Sequence, residues 1–128
     1  MAWVLVADDD PDIRDLARLL IGRHGHQVVT AGDGDEAIAM LHSVTPALVV
    51  TDFTMPRQDG LMVCRAVRSM PALERIPLVL LTALPLTDER VVTASTENRA
   101  VILAKTEISR LGELADSLVS SAGGGAIS

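Results

Sequence analysis

Short apolar runs alternate along the chain with segments in which apolar residues return every three or four positions. Uninterrupted aliphatic runs predict buried strands, and the longer spacing predicts amphipathic helices. The predicted strands cover residues 3–7, 27–31, 48–51, 78–81 and 101–104. The predicted helices are marked by Ile13, Leu16, Ala17 and Leu20; by Ala37, Ile38 and Leu41; by Leu61, Cys64, Ala66 and Val67; by the weaker segment 88–95; and by Ile108, Leu111, Ala115 and Leu118.

Strands that are apolar throughout are buried on both faces, which indicates a parallel sheet covered by helices on each side. The predicted fold class is therefore α/β, a doubly wound five-stranded parallel sheet flanked by five helices. The length of 128 residues suits one compact domain. We assign residues 1–120 to this domain. Residues 121–128, which contain the run Gly123-Gly124-Gly125, are predicted to be a flexible tail or linker.

The composition argues against several classes of protein. Hydrophobic residues make up 48% of the chain, which excludes general disorder, and the net charge of −6 argues against a nucleic-acid-binding surface. Trp3 and Phe53 are the only aromatic residues, so stacking partners for a flavin are scarce. The single cysteine, Cys64, suits a reducing cytoplasm and is expected to be a small buried hydrophobe. Neither a bilayer-spanning apolar run nor a signal-peptide pattern is present in this sequence.

Chemically active side chains follow four of the five predicted strands. Asp8-Asp9-Asp10 follow the first strand, Asp52 the third, Thr82 the fourth and Lys105 the fifth. Open parallel sheets bind ligands outside the carboxyl ends of their strands, where these groups should meet. Crowded carboxylates favour a cation, and oxygen ligands without His or Cys select a hard ion, of which Mg2+ is the expected one. Because a carboxylate can attack phosphorus while Mg2+ and a lysine stabilise phosphoryl oxygens, this set predicts a self-phosphorylating aspartate site.

The sequence resembles the receiver domains of bacterial response regulators, the switches of two-component signalling systems. The matching stretches are VLVADDDPDIR at 4–14, VVTDFTMPRQDG at 49–60, LVLLTA at 78–83, and Lys105. The resemblance covers nearly the whole chain and weakens after Thr87. It implies the flavodoxin-like receiver fold.

The resemblance also implies a role for each matching residue. Asp52 is expected to accept the phosphoryl group. Asp9 is expected to bind Mg2+ directly, Asp8 to bind it partly through water, and Asp52 and the backbone carbonyl of Thr54 to complete the protein's ligands. Thr82 would be the switch hydroxyl, and Lys105 would pair with a phosphoryl oxygen. Asp10 is assigned a structural role at the start of the first helix.

Two positions depart from the family pattern. Ile102 stands where the family usually has the aromatic residue that rotates inward on activation, which puts the usual switch readout in doubt. Thr106 stands where the family usually has proline after the lysine. Because a cis bond before a residue other than proline costs ~2.5–4 kcal/mol, we expect a trans Lys105–Thr106 bond in the resting protein. Thr106 is expected to cap the last helix.

The predicted function is a phosphorylation-dependent switch in a phosphorelay, a signalling domain and not an enzyme with a separate substrate. It would catalyse its own phosphotransfer and its own dephosphorylation in the cytoplasm. The expected partners are a sensor histidine kinase or phosphotransfer protein upstream and an output partner or domain downstream; a homodimer is compatible with the family. Direct binding of nucleic acid or membrane is not expected. Whether the chain stands alone or belongs to a longer protein is left open.

Two other functions are considered. A magnesium-dependent phosphatase would also use an aspartate nucleophile, but such enzymes pair two aspartates two positions apart and carry a cap over the site. The D-x-D pairs here, Asp8 with Asp10 and Asp10 with Asp12, lie in one acidic run, and the chain has no room for a cap. A degenerate receiver that binds partners without phosphorylation is the second alternative. The intact carboxylates, Thr82 and Lys105 argue against it, whereas Ile102 and Thr106 indicate some divergence.

Overall fold

The computed structural model describes residues 2–57 and 59–124 and shows five strands alternating with five helices. The strands are β1 (Trp3–Ala7), β2 (Gln27–Ala31), β3 (Leu48–Asp52), β4 (Leu78–Thr82) and β5 (Ala100–Ala104). The helices are α1 (Pro11–Gly22), α2 (Gly34–Leu41), α3 (Gly60–Ser69), α4 (Glu89–Asn98) and α5 (Leu111–Gly124). Short 3-10 helices at Pro71–Leu73 and Lys105–Arg110 lie in the connections before β4 and α5.

All five strands pair in parallel, in the order β2-β1-β3-β4-β5. Neighbouring residues of a strand point to opposite faces, so the apolar strands contribute to two separate cores. Leu5, Val49 and Leu80 belong to the core beneath α2, α3 and α4. Val6, Val50 and Leu81 belong to the core beneath α1 and α5. The doubly wound parallel sheet predicted from the apolar runs is confirmed.

An aspartate caps each of the first four helices. Asp10, Asp33, Asp59 and Asp88 each accept a hydrogen bond from a backbone N–H two or three residues further on. Such caps satisfy amide groups that have no partner inside the helix and place a negative charge at the positive end of the helix dipole. The structural role expected for Asp10 is confirmed. Four of the 17 acidic residues therefore fix where a loop becomes a helix.

Several element boundaries differ from the prediction. Strands β3 and β4 continue one residue further than expected and so include Asp52 and Thr82. The prediction that Thr106 caps the last helix is wrong: the chain turns into a 3-10 helix at Lys105, and no side chain caps it. Since Thr106 already lies inside that first turn, it does not occupy the capping position. Helix α5 continues through Gly124, so residues 121–124 are helical, while the rest of the predicted tail, 125–128, lies outside the described residues.

The expected trans geometry of the Lys105–Thr106 bond is confirmed, because no peptide bond of the described residues is cis. Within residues 2–57 and 59–124, none of the helices combines the length and the apolar character that a bilayer crossing requires.

Candidate functional site

The sheet brings the predicted site residues to one edge. β1 and β3 are neighbours with Ala7 opposite Thr51, so Asp8 and Asp52 emerge side by side. On the other side of β3, β4 ends at Thr82. Thr82 is paired with Ala104 of β5, and Lys105 is the next residue after Ala104. Asp8, Asp9 and Asp52 offer carboxylate oxygens that all lie within 4.8 Å of one another. The predicted convergence of carboxylates and lysine is therefore present.

Asp8 is held rigidly at the end of β1. It is fully buried, its amide donates to the carbonyl of Ala31 at 3.1 Å, and its Oδ1 accepts from the amide of Asp10 at 2.9 Å. Asp9, the next residue, is exposed at the mouth of the site. Asp10 turns away and accepts from the amide of Asp12 at 2.9 Å. The Asp8/Asp10 pair therefore does not converge as the two aspartates of a phosphatase site would.

Asp52 is the last residue of β3 and is only 4% exposed. Its Oδ1 accepts from the amide of Thr54 at 3.3 Å. The start of α3 presses on its backbone, because a Cβ on Gly60 would overlap the Asp52 carbonyl oxygen and the Cα of Phe53. Glycine at position 60 is thus required by the close approach of helix to strand. The start of α3 is thereby fixed against Asp52 and Phe53.

Lys105 joins the two buried aspartates. Its Nζ lies 3.0 Å from Oδ2 of Asp52, to which it donates a hydrogen bond, and 3.0 Å from Oδ2 of Asp8. The contact with Asp8 has the distance of an ion pair but not the angle of a hydrogen bond. Among the described residues, Asp8 Oδ2 therefore lacks a hydrogen-bond donor although it is buried. A buried carboxylate oxygen in that situation is suited to a cation.

The charges of the site shift two pKa values. Burial raises the pKa of Asp52, the nearby charge of Asp8 raises it further, and the hydrogen bond from Lys105 only partly offsets these effects. For Lys105, burial lowers the pKa, but the hydrogen bond with Asp52 and the negative charges of Asp52 and Asp8 outweigh burial, so the pKa of Lys105 is raised. One lysine thus does not neutralise three crowded carboxylates. This oxygen-only set, which includes the buried Oδ2 of Asp8, fits Mg2+.

Thr82 and Thr54 lie at the site in geometries that do not test their predicted roles. Thr82 is 1% exposed, and its Oγ1 accepts from the amide of Leu84 at 2.9 Å. In this conformation its hydroxyl is engaged with its own loop. Thr54 presents its backbone amide to Asp52, and its predicted use as a carbonyl ligand stays a prediction.

Ile102, which stands where the family usually has an aromatic residue, is half-buried on β5 and packs against the core beneath α4. Its neighbour Val101 is 39% exposed on the edge strand. The departure from the family pattern at position 102 therefore lies on β5, opposite Leu80 of β4.

Sequence reasoning missed one residue that supports the site, Arg14, and assigned Gly60, with Asp59, only to the shape of the loop after Asp52. Arg14 donates from Nη1 to the backbone carbonyl of Asp8 at 2.7 Å, and Gly60 permits the approach of α3 to Asp52. Arg14 could have been noticed as the first cation after the acidic run, four residues beyond Asp10 and therefore one helical turn away. Gly60 directly follows the capping residue Asp59, but nothing in the sequence shows which strand it touches.

Comparisons with known proteins agree with this architecture. Residues 4–115 match the family model of the response regulator receiver domain. An uncharacterized 14.6 kDa protein from the sodA1 3′ region of Leptolyngbya boryana is 39% identical over 87 residues, which cover 68% of this chain and 66% of that protein. The response regulator MprA of Mycolicibacterium vanbaalenii is 42% identical over 88 residues, 69% of this chain but 37% of that protein. The chain thus spans less than two thirds of these relatives.

Solved structures give the same result. The chemotaxis protein CheY4 of Vibrio cholerae superimposes with a TM-score of 0.82 at 26% identity, covering 92% of this chain and 98% of that chain. The response regulator TrrA of Thermotoga maritima, solved in complex with Mg2+ and BeF, gives a TM-score of 0.78 at 29% identity, covering 92% and 99%. With the family match over residues 4–115, the chain belongs to the response regulator receiver domains of two-component systems.

Proposed function

We propose that this receiver domain is a phosphorylation-dependent switch that accepts a phosphoryl group on Asp52 with Mg2+ in the acidic pocket. The observation that carries the proposal is the position of the Lys105 ammonium, 3.0 Å from Oδ2 of both Asp52 and Asp8. A cation held there can contact an oxygen of a phosphoryl group on Asp52. The phosphoryl donor is a histidine kinase or a phosphotransfer protein.

In the proposed transfer, a carboxylate oxygen of Asp52 attacks the phosphorus of a phosphohistidine. An O–P bond forms, the P–N bond breaks, and the leaving imidazole nitrogen keeps the bonding electron pair. Lys105 contacts the oxygens on which negative charge develops, and the amide of Thr54 holds Asp52 in orientation. Asp9 and Asp8, with Asp52 and the carbonyl of Thr54, would hold Mg2+, which supplies further positive charge to the phosphoryl oxygens.

The switch hydroxyl in this proposal is Thr82. Its Oγ1 now accepts from the amide of Leu84, a contact within the loop that follows β4. A rotation of the Thr82 side chain about χ1 would carry Oγ1 toward a phosphoryl oxygen, to which the hydroxyl can donate, and would break its contact with the Leu84 amide. Phosphorylation of Asp52 would thereby alter the conformation of the connection between β4 and α4. Hydrolysis of the aspartyl phosphate by water, in the same pocket, would reset the switch.

A partner protein or an output domain would respond to the phosphorylated form of this domain. The relatives named response regulators are longer than the matched region, and the acidic character of this chain disfavours direct nucleic-acid binding by the domain itself. Homodimerisation and a cytoplasmic site of action are further expectations from the family.

Incubation with acetyl phosphate, with and without Mg2+, tests the proposal by intact mass. We expect the parent protein to gain one phosphoryl group only when Mg2+ is present, and Asp52→Asn to gain none. Asp88→Asn is the matched control, because it removes one carboxylate from the cap of α4 while asparagine still caps a helix. Phosphorylation of Asp52→Asn to the level of the control would overturn the proposal.

A further inference from the structure

Arg14 contacts the backbone that carries two of the acidic residues. Its Nη1 donates to the carbonyl of Asp8 at 2.7 Å, and this carbonyl belongs to the peptide unit that joins Asp8 to Asp9. We propose that Arg14 is a positioning residue for Mg2+: it orients the Asp8–Asp9 peptide so that both carboxylates face Asp52. The inference rests on the proposed function of the pocket.

The carbonyl of Asp8 needs a donor because the chain leaves the sheet at this point. The pairing of β1 with both of its neighbours ends at Ala7. The amide of Asp8 still reaches Ala31, but its carbonyl is beyond the last ladder pair of β1. Asp8 is fully buried, and a buried carbonyl without a partner is unfavourable. The guanidinium supplies the donor that a neighbouring strand would otherwise provide.

The guanidinium is itself confined, so it can set an orientation. A Cβ on Gly32 would lie 3.3 Å from Nη1 of Arg14, which places the group against the turn after β2. The amide of Gly32 is held in turn by Oε2 of Glu36 at 3.4 Å. Among the described residues, Arg14 makes no ion pair with a carboxylate. Its hydrogen bond to Asp8 is thus its principal polar contact at the site.

Arg18 offers an internal control. It lies one turn further along α1, also reaches toward the end of β2, and donates from Nη2 to Oγ1 of Thr30 at 3.1 Å. Replacing either arginine with methionine removes the same charge and leaves a flexible apolar side chain. Only the Arg14 variant loses the contact with the Asp8–Asp9 peptide.

The test is the Mg2+ dissociation constant of Arg14→Met and Arg18→Met, measured by titration calorimetry beside the parent. Removal of a residue that orients metal ligands typically weakens metal affinity 10- to 100-fold. We therefore expect the dissociation constant for Mg2+ to be about 10-fold higher in Arg14→Met and little changed in Arg18→Met. Arg14→Lys keeps the charge and one donor and should recover part of the affinity. Phosphorylation of Arg14→Met should return toward the parent rate at saturating Mg2+.

Melting curves in EDTA show whether each variant is folded, and if Arg14→Met is not, Arg14→Lys against Arg18→Lys gives the same comparison. Equal Mg2+ affinity in the Arg14 and Arg18 variants would overturn the positioning role, even if Arg14→Met melts at a lower temperature. A parent protein that binds no Mg2+ and accepts no phosphoryl group would instead overturn the proposed function. The two failures are therefore distinguishable.

Discussion

The Nζ of Lys105 lies 3.0 Å from Oδ2 of Asp52, and the bond that follows Lys105 is trans. The lysine thus reaches the pocket with threonine at position 106, because the chain turns directly from β5 into the 3-10 helix Lys105–Arg110. The same Nζ lies 3.0 Å from Oδ2 of Asp8, which has no hydrogen-bond donor among the described residues. The resting pocket therefore combines one cation with more negative charge than that cation neutralises.

The excess charge predicts that the carboxylate of Asp52 lowers the stability of the metal-free domain. Burial raises the pKa of Asp52 above that of the unfolded chain, so the ionised form is disfavoured by folding. This loss of stability is absent below the unfolded value near 3.8 and develops as the pH rises through the folded pKa. We expect Asp52→Asn to melt at a higher temperature than the parent at neutral pH in EDTA.

Thermal melts of both proteins between pH 4 and 8 check this prediction. The advantage of Asp52→Asn should shrink toward pH 4 and also on addition of Mg2+, which compensates the charge of the parent. A variant less stable than the parent at pH 7 in EDTA would show that the Lys105 contact outweighs burial and repulsion.

The main predicted contribution of Asp9 is to bind Mg2+. It is exposed at the mouth of the site, and its carboxylate lies within 4.8 Å of those of Asp8 and Asp52. Asp9→Ala should weaken Mg2+ binding and slow phosphorylation while leaving the domain folded, and it should not lower the melting temperature in EDTA because a repelling charge is removed. Calorimetric titration with Mg2+ measures the first effect, and an unchanged affinity would remove Asp9 from the ligand set.

Gly60 is predicted to be required for the geometry around Asp52. A methyl group at this position would overlap the Asp52 carbonyl and the Cα of Phe53, both of which are backbone atoms that cannot move aside cheaply. Gly60→Ala should lower the free energy of unfolding by about 1–3 kcal/mol, the usual effect of overpacking, and should also slow phosphorylation. Gly22→Ala is the control, since nothing lies within 4 Å of a Cβ there. Urea unfolding of the two variants compares them; equal stability would contradict the close approach.

Ile102 is predicted to limit the rearrangement on the β5 face. Thr82 can still turn toward a phosphoryl group, but an aliphatic side chain packed against the core beneath α4 cannot move as a large ring does. Amide chemical shifts recorded on addition of beryllofluoride with Mg2+ should change strongly around Asp52 and weakly across residues 88–118. Changes across 88–118 as large as those near Asp52 would refute the prediction.

The sheet could be predicted from the sequence because each strand is an uninterrupted apolar run, and burial on both faces leaves few other arrangements. The weak segment 88–95 became α4 because Val91 and Ala94 suffice to bury one side of a helix whose remaining positions are polar. The capping role assigned to Thr106 failed because it assumed a loop between β5 and the last helix. In the structure the helical turn begins at once, and no side chain caps it.

The meeting of Asp8, Asp52 and Lys105 was also predictable, since the carboxyl ends of parallel strands lie at one edge of the sheet. The supporting contacts were not. The hydrogen bond from Arg14 to the Asp8 carbonyl and the approach of Gly60 to Asp52 join residues of different elements through the backbone. Side-chain patterns report which face of an element is buried, but they do not report which carbonyl is left without a partner.

Asp52 is expected to carry the phosphoryl group, and chemical mapping identifies the modified residue. Borohydride reduces an aspartyl phosphate to homoserine, so protein treated with acetyl phosphate and Mg2+, then reduced and digested, is analysed by peptide mass spectrometry. We expect homoserine at position 52 and unmodified aspartate at positions 8, 9 and 10. Homoserine at any of those three positions, or none in the chain, would contradict this assignment.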